Sequence, residues 1–307
     1  MSKIFITGGS GFLGRNLKYF LKKKKHKIYS PSSKEINLLK YSDIKNLKNE
    51  FDYIYHLASW TQAGDFCIKY PLDQWIMNQE INTNIIKWWS NNGNSKTILT
   101  IIGTSCCYDE KGKFIEKNYM HERPHESLQT YAMTKKILLQ GAVSAYLQKG
   151  FKWNCFVPST LYGEKYKIEK NKIPHFIFDL VKKIIRGKLF NEKVILWGNG
   201  YQKREIVHVK DFVKNMYYLN TKIANEIVNL GGERERSIRF FSKIICNYLN
   251  YNFKNIIFDT NKYVGAKGKR LCNDKAKKLI KNYSNKLTKI EYGIQQMVKW
   301  HLKNKEY

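Results

Sequence analysis

Two kinds of apolar pattern take turns along the chain. Residues 3–7 (KIFIT) form a nearly unbroken apolar run. A glycine-rich turn, Gly8-Gly9-Ser10-Gly11-Phe12-Leu13-Gly14, follows, and then RNLKYFLKKKK, where Leu17, Phe20 and Leu21 recur on one helical face. The same alternation predicts strands at His26–Ser30, Tyr53–Ala58, Thr97–Gly103 and Phe151–Val157. Between them it predicts helices near Asp43–Glu50, from Pro71 to Asn91 and over Tyr131–Gln148, the last stopped by Gly150. Strands that are apolar on both faces and alternate with helices imply a parallel sheet covered on both sides, a doubly wound α/β fold.

After Pro158 the pieces shorten. A helix is expected near Phe176–Arg186, a strand at Val194–Trp197, a strand-helix pair at Ile206–Leu219 and a strand at Ile227–Leu230. A helix near Phe240–Leu249, a strand at Asn255–Phe258 and a closing helix at Leu287–Lys303 complete the series. This reads as a smaller α/β C-terminal lobe. With no repeat, low-complexity stretch or Gly/Ser linker, the two lobes are expected to enclose the active site between them.

The opening strand, glycine turn and helix form a dinucleotide-binding pattern. Gly8 permits the tight turn, Gly11 admits the backbone to a pyrophosphate, and Gly14 lets the helix pack on the strand, while the helix N-terminus offers free N–H groups. At the end of the second strand an acid would bind a ribose 2′-OH and basic or hydroxyl groups a 2′-phosphate. That region reads YSPSSK, with no acid before Glu35, and Arg15, Ser33 and Lys34 can face a phosphate. The expected cofactor is NADP(H) rather than NAD.

Charge changes this picture less than it first promises. The 307 residues hold 55 Lys+Arg against 25 Asp+Glu, a formal net charge of +30, the balance of a nucleic-acid-binding protein. The excess is spread through a chain rich in Lys, Asn, Ile and Tyr, however, and its interpretable members fall where small phosphate-bearing ligands would lie; nucleic acid is not an expected partner. Apolar residues at 43% and aromatics at 14% exclude disorder. No run approaches the roughly 18–20 apolar residues of a membrane span, and MSKIFITGG is not a secretory start, so a cytoplasmic protein with no membrane partner is expected. Six cysteines without CxxC spacing read as reduced thiols, with neither a disulfide framework nor a metal site.

Tyr131-Ala132-Met133-Thr134-Lys135 opens a helix, and a spacing of four puts the phenol and the ammonium on one face, a turn apart. The ammonium is expected to lower the phenol pKa, so that Tyr131 serves as acid or base near neutrality while Lys135 also holds the nicotinamide ribose.

With these residues the chain resembles the extended short-chain dehydrogenase/reductase (NAD-dependent epimerase/dehydratase) family. The resemblance runs through TGGSGFLG (7–14), YHLA (55–58), Asn78 to NIIKWW (84–89), GTSCCY (103–108), YAMTK (131–135), VPSTLYG (157–163) and WGNGYQKREIVHVKD (197–211). It implies a Rossmann-type domain over residues 1–160 and a nucleotide-sugar lobe over 161–307, some elements of which return to the first. It implies Thr104 as the hydroxyl beside the substrate oxygen, Tyr131 as proton donor and Lys135 as its modulator. Cofactor contacts fall on Gly8, Ser10, Gly11, Phe12, Leu13, Gly14, Leu57, Ala58, Asn78, Pro158, Thr160 and Leu161, besides Arg15, Ser33 and Lys34. Thr160 stands where many members have Asn.

Dehydratases of the family carry Asp-Glu where this chain has Ser105-Cys106, so dehydration is not expected. The segment is instead similar to the G-S-S-C-x-Y of the GDP-L-fucose synthase subfamily, bifunctional GDP-4-keto-6-deoxymannose 3,5-epimerase/4-reductases of cell-surface polysaccharide biosynthesis. That likeness implies Cys106 as the base at C3 or C5 and His175 as the opposing acid, then NADPH-dependent reduction at C4. The alternative reading makes Cys106 and Cys107 small buried apolar groups and His175 a cap of its helix, with His121 and His125 as rival acids. By resemblance Ser105, Trp197 and Arg204 contact the nucleotide sugar, with Lys183 and Lys269 or Arg270 completing a diphosphate clamp. A homodimer is implied. The rival activities are a nucleotide-hexose 4-epimerase with tightly held NAD and a C4 reductase alone.

Overall fold

The computed structural model describes every residue except Gly64, His125, Lys170, Asn171, 263–267 and Lys269. Its strands are β1 (Lys3–Thr7), β2 (Lys27–Tyr29), β3 (Tyr53–His56), β4 (Ile98–Ile102), β5 (Lys152–Pro158), β6 (Thr160–Tyr162), β7 (Val194–Trp197), β8 (Lys203–His208), β9 (Glu226–Leu230), β10 (Glu235–Ser237) and β11 (Ile256–Asp259). The helices are α1 (Phe12–Lys23), α2 (Tyr41–Ile44), α3 (Phe66–Lys69), α4 (Pro71–Asn92), α5 (Gln129–Lys149), α6 (Phe176–Phe190), α7 (Val209–Asn220), α8 (Ile238–Leu249), α9 (Asp274–Leu279) and α10 (Ile290–Asn304).

Six strands make one parallel sheet in the order β2-β1-β3-β4-β5-β9. Period-two alternation sorts the side chains of its strands between two cores. Phe5 and Ile54 join Trp88, Trp89 and Leu99 on one face, while Ile4, Ile6 and Tyr55 join Leu17, Leu21, Phe212 and Met216 on the other. The chain builds β2 on one side of β1 and then crosses to the other for β3, so a crevice opens above the C-terminal ends of β1 and β3, where such sheets bind ligands. This is the Rossmann-type fold that the apolar pattern implies.

A third core, around Tyr162, Phe178, Ile184, Ile245 and Met297, fills the C-terminal part of the chain. There β10-β8-β6 and β11-β7 form two small sheets, β8 running antiparallel to β10 and parallel to β6.

The expected helix at Asp43–Glu50 is a single turn at Tyr41–Ile44. Beyond it the Asn49 side chain accepts the Phe51 N–H at 3.2 Å, a local bond that competes with helix. The strands β6 and β10 escape the sequence pattern because each is three residues long, and β10 (Glu-Arg-Ser) has no apolar residue. The closing helix starts at Ile290 rather than Leu287, since Ser284–Lys286 forms a 3-10 turn and the Thr288 N–H donates to Asp211 at 2.7 Å. Among the described residues no helix is long and apolar enough to cross a membrane, and no group of three acidic, His or Cys side chains could hold a metal.

Candidate active site

Two glycines of the first turn are fixed by sterics. Gly8 has φ +67°, and a Cβ there would lie 2.6 Å from the Ala58 nitrogen; a Cβ on Gly14 would lie 2.4 Å from the Gly8 carbonyl oxygen. The N-terminus of α1 follows with no acid in its first turn and no side-chain cap, leaving the N–H groups near Phe12 and Leu13 able to meet an anion. A cavity of ≈ 210 Å³ lies beside this turn, walled by Thr7 to Ser10, Pro31 and Ser33, residues 36–39, Ala58 and Trp60. Ser33 lines it and is exposed, as is the next residue, Lys34. Glu35 turns its carboxylate onto the Ser32 N–H at 2.7 Å, which holds the carboxyl below its ordinary pKa.

Two residues assigned to the cofactor from the sequence are engaged by the protein itself. The Asn78 amide is saturated: Oδ1 accepts from the Ser59 hydroxyl and the Trp60 N–H, and Nδ2 donates to the Trp60 and Gln74 carbonyls. Asn78 therefore shapes the loop after β3, with no group left to reach a cofactor. Arg15 donates from Nε and Nη2 to the Lys165 carbonyl at 3.0 and 2.8 Å and from Nη1 to that of Ser10. It ties the glycine turn to the segment after β6 rather than facing Ser33 and Lys34. Burial lowers its pKa.

At the end of β4, Thr104 caps the 3-10 turn Ser105–Cys107, its hydroxyl accepting the Cys106 N–H at 3.2 Å. The same side chain is hydrogen-bonded to the Tyr131 hydroxyl. One turn along α5, the Lys135 ammonium lies 5.9 Å from the Tyr131 ring centre. Lys135 is only 7% exposed, and among the described residues its ammonium has no hydrogen-bond acceptor. A buried cation with unfilled donors fits the ribose of a dinucleotide, as do the two glycines and the cavity.

The expectation that the ammonium lowers the phenol pKa is not met. Burial drives Tyr131 well above its ordinary value, Cys106 and Cys107 push it further, and Thr104 offsets only part of this. Burial also lowers Lys135, to about 8. Desolvation dominates both shifts, and Tyr131 is left as a fully protonated donor at neutral pH.

The adjacent cysteines differ. Cys107 is fully buried, its thiol donates to the Ala132 carbonyl at 3.4 Å, and burial pushes its pKa up to about 12, so it is a packing residue. Cys106 is half-buried beside Thr104 and Tyr131.

A chain of buried hydrogen bonds, missed from the sequence, runs beneath these groups. Thr7 Oγ1 accepts the Leu57 and Ala58 N–H groups and meets His56 Nδ1 at 2.8 Å; His56 Nε2 meets Asn82 Oδ1 at 3.2 Å. Asn82 Nδ2 donates to the Thr134 carbonyl, and the Thr134 hydroxyl to that of Tyr131. Burial and the Lys135 charge lower His56 to about 4, so it is neutral. Because Asn82 Oδ1 can only accept, the ring proton sits on Nε2, and Nδ1 takes the Thr7 hydroxyl proton. The available signal was a spacing of four between Asn78 and Asn82, which puts both amides on one face of α4.

In the C-terminal lobe, Thr160 and Leu161 start β6 just beyond Pro158, with Thr160 opposite Ile206 of β8. His175 is exposed at the N-cap of α6, its carbonyl accepting the Phe178 and Asp179 N–H groups. Lys183 pairs with Asp179 at 2.7 Å, so it brings no uncompensated charge to a clamp. Trp197 is 41% exposed at the end of β7, Arg204 is half-buried on β8, Ser105 lies in the turn after Thr104, and His121 and Arg270 are exposed. Lys269 and His125 fall outside the described residues.

GDP-L-colitose synthase of Yersinia pseudotuberculosis is 27% identical, the match covering 99% of each chain. A GDP-L-fucose synthetase from Naegleria fowleri bound to NADP superposes with TM-score 0.85 at 23% identity, over 99% of this chain and 93% of that one. A GDP-6-OMe-4-keto-L-xylo-heptose reductase from C. jejuni superposes with TM-score 0.85 at 18% identity, over 99% and 98%. The NAD dependent epimerase/dehydratase pattern matches residues 4–231, which carry the glycine turn, Thr104, Tyr131 and Lys135, and the chain belongs to that family.

Proposed function

We propose that the chain is an NADPH-dependent oxidoreductase of a GDP-linked 4-keto-6-deoxy sugar, inverting C3, C5 or both and then reducing the C4 ketone. The observation that carries this reading is the Thr104 and Tyr131 hydroxyls joined beside the buried ammonium of Lys135. The exposed Ser33 and Lys34, and the likeness to an NADP-bound structure, support NADP(H).

NADPH when bound supplies a hydride to C4. Thr104 donates a hydrogen bond to the C4 oxygen and orients it, and Tyr131 passes its proton to that oxygen as the alcohol forms. Lys135 holds the ribose and places a positive charge beside the tyrosinate left behind. Before reduction, the Cys106 thiolate removes the acidified proton next to the ketone, and His175 returns one to the opposite face. Gly8, Ser10, Gly11, Phe12, Leu13 and Gly14 cradle the pyrophosphate, Leu57, Ala58, Pro158, Thr160 and Leu161 wall the cofactor, and Ser105, Trp197 and Arg204 face the nucleotide sugar. Reduction at C4 without inversion is the second reading, favoured by the exposure of His175.

Purified protein given NADPH and GDP-, UDP-, CDP- and dTDP-4-keto-6-deoxy sugars is expected to oxidise NADPH with the GDP sugar. In deuterated water, label should enter C3 or C5 in the wild type and fall at least tenfold in Cys106→Ser. Turnover without any label leaves the reductase reading, and no NADPH oxidation with any member refutes both. The reading includes a cytoplasmic homodimer built on α4 and α5, whose outer faces expose Leu72, Trp75, Ile76, Met133 and Ile137.

A further inference from the structure

Three aromatic rings join the glycine turn to the start of α6. The Tyr166 ring lies face to face on Phe178, with 3.7 Å between centres and 7° between planes, and meets Phe12 edge-on at 5.5 Å. Phe12 meets Phe178 edge-on as well, at 5.2 Å. Stacked and edge contacts of this kind fix where rings sit in addition to burying apolar area. Phe12 is the first residue of α1, next to the glycine turn, and Phe178 lies in the first turn of α6.

Tyr166 grips that turn of α6 at a second point. Its hydroxyl is hydrogen-bonded to the backbone of His175, the N-cap residue whose carbonyl accepts the Phe178 and Asp179 N–H groups at 2.9 and 3.1 Å. Tyr166 is itself held from both sides along the chain. Before it, Lys165 takes φ +71°, a left-handed conformation that a lysine keeps only where its surroundings impose it, and two Arg15 N–H groups bind the Lys165 carbonyl. After it, the Glu306 carboxylate takes the Ile168 N–H at 2.8 Å.

We propose that Tyr166 is a positioning residue for the inversion step, holding the His175 backbone in place against the glycine turn. The proposal rests on the functional reading above, in which His175 returns a proton to the sugar. Because the His175 side chain is exposed, the placement of its backbone decides where the imidazole can reach.

The test uses the full chain with NADP+ in place of NADPH, so that the ketone is not consumed. Solvent deuterium entering C3 and C5 of GDP-4-keto-6-deoxymannose is followed for wild type, Tyr166→Phe, His175→Gln and the double variant. Tyr166→Phe keeps the stacked ring and loses only the hydroxyl. Label entry should slow about 3- to 10-fold, the range of one hydrogen bond, with NADP+ affinity unchanged. His175→Gln should slow it at least as much. The double variant should be no slower than His175→Gln, since a residue that acts through the imidazole has nothing left to position once it is gone. Tyr166→Leu, which removes ring and hydroxyl together, should slow exchange more than Tyr166→Phe does. Wild-type exchange in Tyr166→Phe, or losses that multiply in the double variant, overturns the proposal and leaves the functional reading standing. A wild type that takes up no label yet oxidises NADPH with this sugar overturns inversion and the proposal together and leaves reduction at C4. No NADPH oxidation with any of the nucleotide-linked sugars overturns the functional reading itself.

Discussion

Tyr131 and Lys135 show what burial does to a catalytic pair. With its proton held tightly, Tyr131 suits the donor step of ketone reduction, whereas Lys135 at about 8 keeps its charge only below that pH. Tyr131→Phe should therefore lower kcat by about 10²- to 10⁴-fold with NADPH affinity retained. The wild-type kcat/KM should decline above about pH 8 as the ammonium is lost. Unchanged turnover in the phenylalanine variant, or a profile flat to pH 10, would refute these roles. Residue types and their spacing of four were legible in the sequence because helical geometry alone sets them side by side. The direction of their pKa shifts was not, because desolvation depends on the strands and turns packed around α5. The same holds for Cys106 and Cys107, adjacent in sequence and told apart by depth.

Among the elements, α5 is held in place by polar bonds as well as apolar packing. The line from Thr7 through His56 and Asn82 to Thr134 joins β1, β3, α4 and α5, and the neutral ring at its centre makes it sensitive to acid. His56 titrates near 4 when folded and near 6.5 otherwise, so between these values the unfolded chain binds the extra proton. This contribution is fully present above pH 6.5 and is lost as pH falls to 4, up to about 3 kcal/mol for a shift of this size. Denaturant unfolding of His56→Gln, which can bond but not titrate, should show a shallower fall over that window; an identical slope would exclude His56 as the source. Long apolar elements such as β5 and α4 announced themselves through periodicity. The charged strand β10 could not, since only its ladder with β8 makes it a strand, and that contact joins positions some thirty residues apart.

For the whole molecule, the net charge of +30 comes largely from lysines at the surface, such as Lys22 to Lys25 at the end of α1. Few cations belong to the site. The apolar residues exposed on α4 and α5 carry more meaning: Leu72, Trp75 and Ile76 follow the i, i+3, i+4 rhythm of a contact face. Trp75→Lys with Ile76→Glu should shift the dimer to monomer in light scattering without lowering kcat by more than a few-fold, and a wild type that is already monomeric would refute that face. The Arg15 bridge from the glycine turn to the Lys165 carbonyl spans the two parts of the chain with a single side chain. A single guanidinium thus staples the glycine turn to the segment after β6, and any separation of the two would have to break all of its carbonyl bonds at once.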